Sequence, residues 1–149
     1  MDAWEAAVVG RSPDVVRIGL AVPLTGPLAM TAPSALDLAA LAADELTEGG
    51  GVRGRAVELV TVDAGRRPAE VAAEVAALHA AGAVDVLVGF STSDVSRAVA
   101  AALSGRAGYV FTPPHEGGRG TRGALRIGSS PLVQHAAALA WLVRHRRAA

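Results

Sequence analysis

Neither cysteine nor lysine occurs anywhere in this sequence, and aromatic residues make up only 3% of its 149 positions. The lack of cysteine excludes disulfides, thiolate nucleophiles and Cys-ligated zinc. Without lysine there is no glycine-lysine-hydroxyl run, so a phosphate-cradling Walker loop is excluded too. Net charge is also lacking: 14 basic residues balance 14 acidic ones. No global field therefore draws the chain to nucleic acid or to an anionic membrane. The cluster Arg144-His145-Arg146-Arg147 is local and reads as a favourable helix C-terminus. No stretch approaches the roughly 20 apolar residues of a membrane-spanning helix, so no membrane insertion is expected. The start, Met1-Asp2-Ala3-Trp4-Glu5, is acidic where a secretory signal needs positive charge, and Ala6 to Gly10 is too short for its apolar region. As written, the expected location is the cytoplasm, or the periplasm or cell surface if the true start lies upstream.

What the chain does have is apolar material: 51% of its residues are hydrophobic, much of it alanine, enough for one domain with a buried core. Residues 1–14 show no clean period and read as a loose lead-in. Val15 to Val22 is a first strand, ended by Pro23-Leu24-Thr25-Gly26-Pro27. A helix runs from Ser34 to about Glu48, and Gly49-Gly50-Gly51 stops it. Val57 to Val62 is a second strand, and Pro68 opens a second helix in which Val71, Val75 and Leu78 share a face.

Val84 to Val88 has the length and branching of a buried strand. It breaks at Gly89 into Phe90-Ser91-Thr92-Ser93, after which Val95, Ala98, Val99 and Ala102 continue at helical spacing. Tyr109 to Thr112 reads as a fourth strand running into Pro113-Pro114-His115-Glu116-Gly117-Gly118. Leu125 to Ile127 is a fifth. Ser130 as N-cap and Pro131 at the first helical position open a last helix with Leu132, Ala136, Leu139 and Val143 inward.

Strands alternating with helices predict an α/β fold: a doubly wound parallel sheet in the flavodoxin-like order 2-1-3-4-5, with helices on both faces. Ligands in such sheets sit beyond the carboxyl ends of the strands. That rim gathers Thr25, Gly26, Asp63, Ser91, Thr92, Ser93, His115 and Glu116. Backbone N–H groups at the helix start after Gly89 make this turn a seat for a ligand's carbonyl or carboxylate.

Several chemistries fail at the rim. A dinucleotide fold needs Gly-x-Gly-x-x-Gly after its first strand, and Pro-Leu-Thr-Gly-Pro-Leu stands there. A phospho-receiver wants acidic residues where Pro23 and Gly89 lie. No His/Asp/Glu spacing resembles a metal site, and no cofactor is expected. A Ser-His hydrolase stays open as an alternative: Gly89-Phe90-Ser91-Thr92-Ser93 matches Gly-x-Ser-x-Gly except at its last position, with His115 and Glu116 nearby. The plainer reading of Ser91 or Ser93 is a helix N-cap.

Ile18-Gly19-Leu20-Ala21-Val22-Pro23-Leu24-Thr25-Gly26-Pro27, then Ala42-Ala43-Asp44-Glu45-Leu46, Gly49-Gly50-Gly51-Val52-Arg53-Gly54-Arg55 and Val86-Leu87-Val88-Gly89, resemble type I periplasmic binding proteins of the branched-chain amino-acid class. Pro114-His115-Glu116-Gly117, Ile127-Gly128 and the Ser-Pro-opened helix are similar to its urea- and short-chain-amide-binding branch, which includes cytoplasmic amide sensors that restrain an antitermination regulator. Members of that branch usually carry a tyrosine where this chain has His115 and phenolic hydroxyls at positions matching Ser91 and Phe111. An acidic-Pro start to the second helix is typical, and this chain has Arg67-Pro68.

The resemblance implies a non-catalytic lobe that binds an amide, urea or amino acid, as in the substrate-binding components of ABC transporters. It adds Phe111 and Pro113 to the rim's ligand-binding residues. Residues 15–149 would be the N-terminal lobe of a two-lobe receptor, with the second lobe absent. A second lobe, a regulator or a transporter permease are the implied partners. Two alternatives stand beside a working single lobe: a truncated fragment, and a lobe that serves only as an interaction module.

Overall fold

The computed structural model describes residues 1–116 and 120–146. Gly117 and Gly118 of the expected proline-glycine loop, and Arg147 of the basic cluster, lie outside the described residues.

Five parallel strands form one sheet: β1 (Val15–Val22), β2 (Ala56–Asp63), β3 (Val86–Gly89), β4 (Gly108–Phe111) and β5 (Ala124–Arg126). Their order is β2-β1-β3-β4-β5, as the strand and helix pattern predicts. The register places Val22 beside Asp63, Ala21 beside Gly89 and Gly89 beside Phe111, so four strands end at one level. β3 begins two residues later than the apolar run. The Asp85 carboxylate accepts the Arg17 N–H at 3.0 Å, where a strand carbonyl would otherwise do so. Asp85 is thereby tied to β1 outside the strand ladder.

Helices α3 (Pro68–Ala80) and α4 (Ser93–Leu103) pack together on one face. Between them and the sheet lies the main core, with Val60, Val62, Val71, Val75, Leu87, Val99 and Phe111 almost wholly buried. The other face is covered by α2 (Ala32–Glu48), which lies over β1 and β2. There Ile18, Leu20, Leu59 and Val88 form the floor of an apolar groove of about 180 Å³, walled by Ala39, Ala42, Ala43 and Leu46 of that helix.

Two expectations are corrected. The segment read as a loose lead-in contains α1 (Ala3–Val9), which buries Ala6 completely against the core. Its start is a capping box: Glu5 N–H donates to Asp2 Oδ1 at 2.8 Å, and Asp2 N–H donates to Glu5 Oε2 at 3.3 Å. The acidic residues that argue against an export signal are thus the residues that nucleate this helix.

The last helix, α5 (Pro131–Arg146), forms where expected but has no buried residue. Leu132 is 74%, Leu139 55% and Val143 69% exposed, so the expected inward face is not buried against this sheet. Helical spacing identifies residues that share a face; it does not identify what covers them. Apolar residues here also run around most of the circumference, from Leu132 and Val133 to Trp141 and Leu142. None of the helices among the described residues is long and apolar enough to cross a membrane.

Candidate functional site

Asp63 ends β2 and stitches two loops together. Its carboxylate accepts the N–H groups of Leu24 at 2.9 Å, Thr25 at 3.2 Å and Gly65 at 2.8 Å, and the Thr25 hydroxyl at 2.8 Å. Burial pushes its pKa up, but the four hydrogen bonds outweigh that and hold the carboxyl below its ordinary value of 3.8. The packing is close: a Cβ at Gly65 would lie 1.9 Å from the Thr25 carbonyl oxygen. Thr25 and Gly26 are both exposed, and Gly26 takes φ +78°, a conformation that glycine adopts without strain.

The turn after β3 is built on a buried hydroxyl cluster. Tyr109 lies beneath Gly89, where a Cβ would come within 2.7 Å of its hydroxyl. That hydroxyl bonds the side chains of Ser96 and Ser91; burial raises its pKa against the opposing pull of those bonds and of Arg126. Ser91 is only 6% exposed, and its own hydroxyl also reaches the Thr92 carbonyl at 3.3 Å. Its side chain therefore anchors the turn from below.

The helix N-cap is Thr92, not Ser91 or Ser93, and the Thr92 side chain makes no capping bond. The Thr92 hydroxyl bonds the Asp94 carboxylate instead. The chain takes its extended cap conformation one residue after the buried serine, and this sets the cap at Thr92. Ser93 opens α4 half-buried. Asp94 is exposed and accepts the Val95 N–H at 2.9 Å.

After β4, Thr112 closes onto the same turn: its N–H and hydroxyl both donate to the Gly89 carbonyl, at 3.0 and 3.1 Å. Phe111 is 1% exposed and belongs to the core beneath the rim. Pro113 and His115 are half-buried; His115 N–H donates to the Ser129 carbonyl at 3.3 Å. Glu116 is exposed and pairs with Arg97 of α4 at 3.0 Å.

Thr25, Gly26, Thr92, Ser93, Pro113, His115 and Glu116 thus share the carboxyl end of the sheet, while Ser91 and Phe111 lie beneath it. A cleft of about 180 Å³ opens between the loops after β1, β2 and β3. It brings together Thr25 and Thr92 with Pro27, Leu28, Gly65, Arg66, Asp94 and Val95, and its lining does not include His115 or Glu116. Arg66, Leu28 and Asp94 are absent from the sequence-based set. Asp94 alone carries a legible signal, an acidic residue in the first turn of a helix.

The family model described as periplasmic binding protein matches residues 15–149. The isoleucine-bound branched-chain amino acid transporter substrate-binding protein LivJ from Streptococcus pneumoniae is 28% identical, at a TM-score of 0.59 over 65% of this chain and 28% of its own. An ABC transporter substrate-binding protein from Sphaerobacter thermophilus is 27% identical, at 0.55 over 65% of this chain and 26% of its own. A branched-chain amino acid ABC transporter protein from Rhodospirillum rubrum, 22% identical, shares the fold at a TM-score of 0.73 over 87% of this chain and 38% of its own. The chain therefore spans well under half the length of each. No curated protein matches it significantly. A five-stranded parallel sheet in this order, with its polar loops at the strand ends and a family match across nine-tenths of its length, makes this chain a member of the periplasmic binding protein family.

Proposed function

We propose that the chain is a non-catalytic solute-binding lobe that holds one end of a small polar ligand, an amino acid, amide or urea, for an ABC-type transporter or a ligand-sensing regulator. The observation that carries this is the start of α4. There the exposed Thr92 and the first-turn Asp94 and Val95 meet the exposed Thr25 of the loop after β1 at one cleft, with Ser93 in the same helical turn, in a family that binds solutes. The hydrolase alternative loses support because Ser91 is buried and its hydroxyl is engaged by Tyr109 and the Thr92 carbonyl.

The exposed apolar surface of α5 supports a two-lobe reading, in which elements from further chain or from a partner chain cover this helix and complete the site. A lobe alone makes only part of the ligand's contacts. Losing half of them removes about 3–4 kcal/mol, which turns a micromolar receptor into a roughly millimolar one. Calorimetric titration with acetamide, urea, leucine and valine tests this. Weak saturable binding, further weakened in Ser93→Ala, is expected. Binding that Ser93→Ala leaves untouched would remove the site from the start of α4, and ester turnover abolished by Ser91→Ala would favour the hydrolase.

A further inference from the structure

β2 stands first in the strand order, so its outer side is an edge of the sheet. Its sequence makes that edge adhesive. Val57-Glu58-Leu59-Val60-Thr61-Val62 is mostly β-branched, has no proline, and carries one charge, Glu58, which is paired with Arg17 at 3.0 Å. Edge strands of this kind pair with strands of other chains unless something covers them.

Residues 1–10 cover this one. The Met1 amino group donates to the Leu59 carbonyl and the Thr61 N–H donates to the Met1 carbonyl, both at 3.4 Å, so Asp2 adds a short parallel bridge beside Thr61. At the other end of the same edge, the Thr47 hydroxyl of α2 accepts the Val57 N–H at 3.0 Å. Beyond the bridge, α1 packs on β2 and α3, and the Arg17 guanidinium holds the Gly10 carbonyl. The hold is nonetheless light. α1 has seven residues, of which Ala6 is the buried one, while Trp4, Val8 and Val9 are exposed. A helix that short has no stability of its own and stays in place only through these contacts. The segment also precedes the family match, which begins at residue 15.

We propose that residues 1–10 are a strap over a self-association edge: when the strap lifts, two copies of the chain pair β2 to β2 and join their sheets. An antiparallel pairing centred on Val60 sets Leu59 of one copy opposite Thr61 of the other. The Leu59 carbonyl and Thr61 N–H that Met1 engages then serve that pairing instead. Glu58 falls opposite Val62, so no like charges meet. The edge is thus complementary to itself, as a two-fold dimer requires, and the contact closes without propagating.

Ala6→Asp puts a carboxylate at a fully buried position of the strap and should lift it, with a cooperative melt confirming that the rest of the chain stays folded. An edge that is covered most of the time binds more weakly by the fraction of time it is open. Ala6→Asp is therefore expected to tighten self-association about tenfold or more in analytical ultracentrifugation. The double change Asp2→Ala and Glu5→Ala removes only the capping box and should act in the same direction by less. Thr61→Pro deletes an N–H that points away from β1, a change that an edge strand tolerates, and should abolish the association of Ala6→Asp. Hydrogen exchange gives a second readout: the Thr61 amide should lose protection in dilute Ala6→Asp and regain it as concentration rises. Association no tighter in Ala6→Asp than in wild type overturns the proposal. So does association that survives Thr61→Pro, which belongs to another surface such as α5, or a Thr61 amide that exchanges alike in dilute wild type and dilute Ala6→Asp.

Discussion

Replacing Asp63 with alanine removes the acceptor of three backbone N–H groups and one hydroxyl, and so tests whether the loops after β1 and β2 form one unit. Hydrogen bonds to a charged group contribute about 1.5–3 kcal/mol each when sheltered. These lie at a half-open rim where water can take over, so the total loss is smaller than their sum. A cost of about 2–3 kcal/mol is expected for Asp63→Ala, and about 1–2 for Asp63→Asn, which keeps one acceptor oxygen but loses the charge. For a chain of this size the alanine variant should melt roughly 5–10 °C lower.

The pH dependence follows from the lowered pKa. Because the folded-state value lies below 3.8, the carboxylate's contribution is fully present above that value and is lost as pH falls through the folded pKa. Urea denaturation of wild type and Asp63→Asn at neutral pH and near pH 3 should therefore show a difference that shrinks in acid. A difference that stays constant between those pH values, or an Asp63→Ala variant within about 0.5 kcal/mol of wild type at neutral pH, would refute the stitching argument.

Two further outcomes test the packing. Gly89→Ala puts a methyl group 2.7 Å from the Tyr109 hydroxyl, and an overpacking cost of about 1–3 kcal/mol is expected by chemical denaturation. Combining it with Tyr109→Phe should cost less than the sum of the two single changes. Leu87→Ala, at 1% exposure, should cost about 3–4 kcal/mol, whereas Leu139→Gln, at 55%, should stay within about 0.5 in the same measurement. A large loss for Leu139→Gln would show that α5 is covered within this chain.

Much of the sheet is legible because Val15–Val22 and Val84–Val88 are apolar runs cut by proline or glycine, and such runs leave a parallel strand few alternatives. The start of β3 is not legible, because it depends on Asp85 reaching the backbone of a strand 68 residues earlier. α1 is missed for a different reason: Asp2 and Glu5 register as charge, while their three-residue spacing is what matters. At the rim, sequence order identifies which loops meet but not which way a side chain turns. Ser91 and Thr92 are adjacent hydroxyls, yet one is buried against Tyr109 and the other faces water. That choice is made by the Tyr109 hydroxyl, which comes from another strand.

The path between β4 and α5 has a mechanical consequence. Gly128 lies so close to Pro113 that a Cβ there would sit 2.0 Å from the Pro113 carbonyl oxygen, and His115 N–H is bonded to Ser129. Two residues later Pro131 begins a helix of 16 residues, an arm about 24 Å long. The arm and the His115 loop are therefore buckled together at its root. Any rotation that swings the arm through even a modest angle transmits torque first to Ser129 and then to the loop that carries His115, so whatever grips α5 also has a hand on the geometry of the rim.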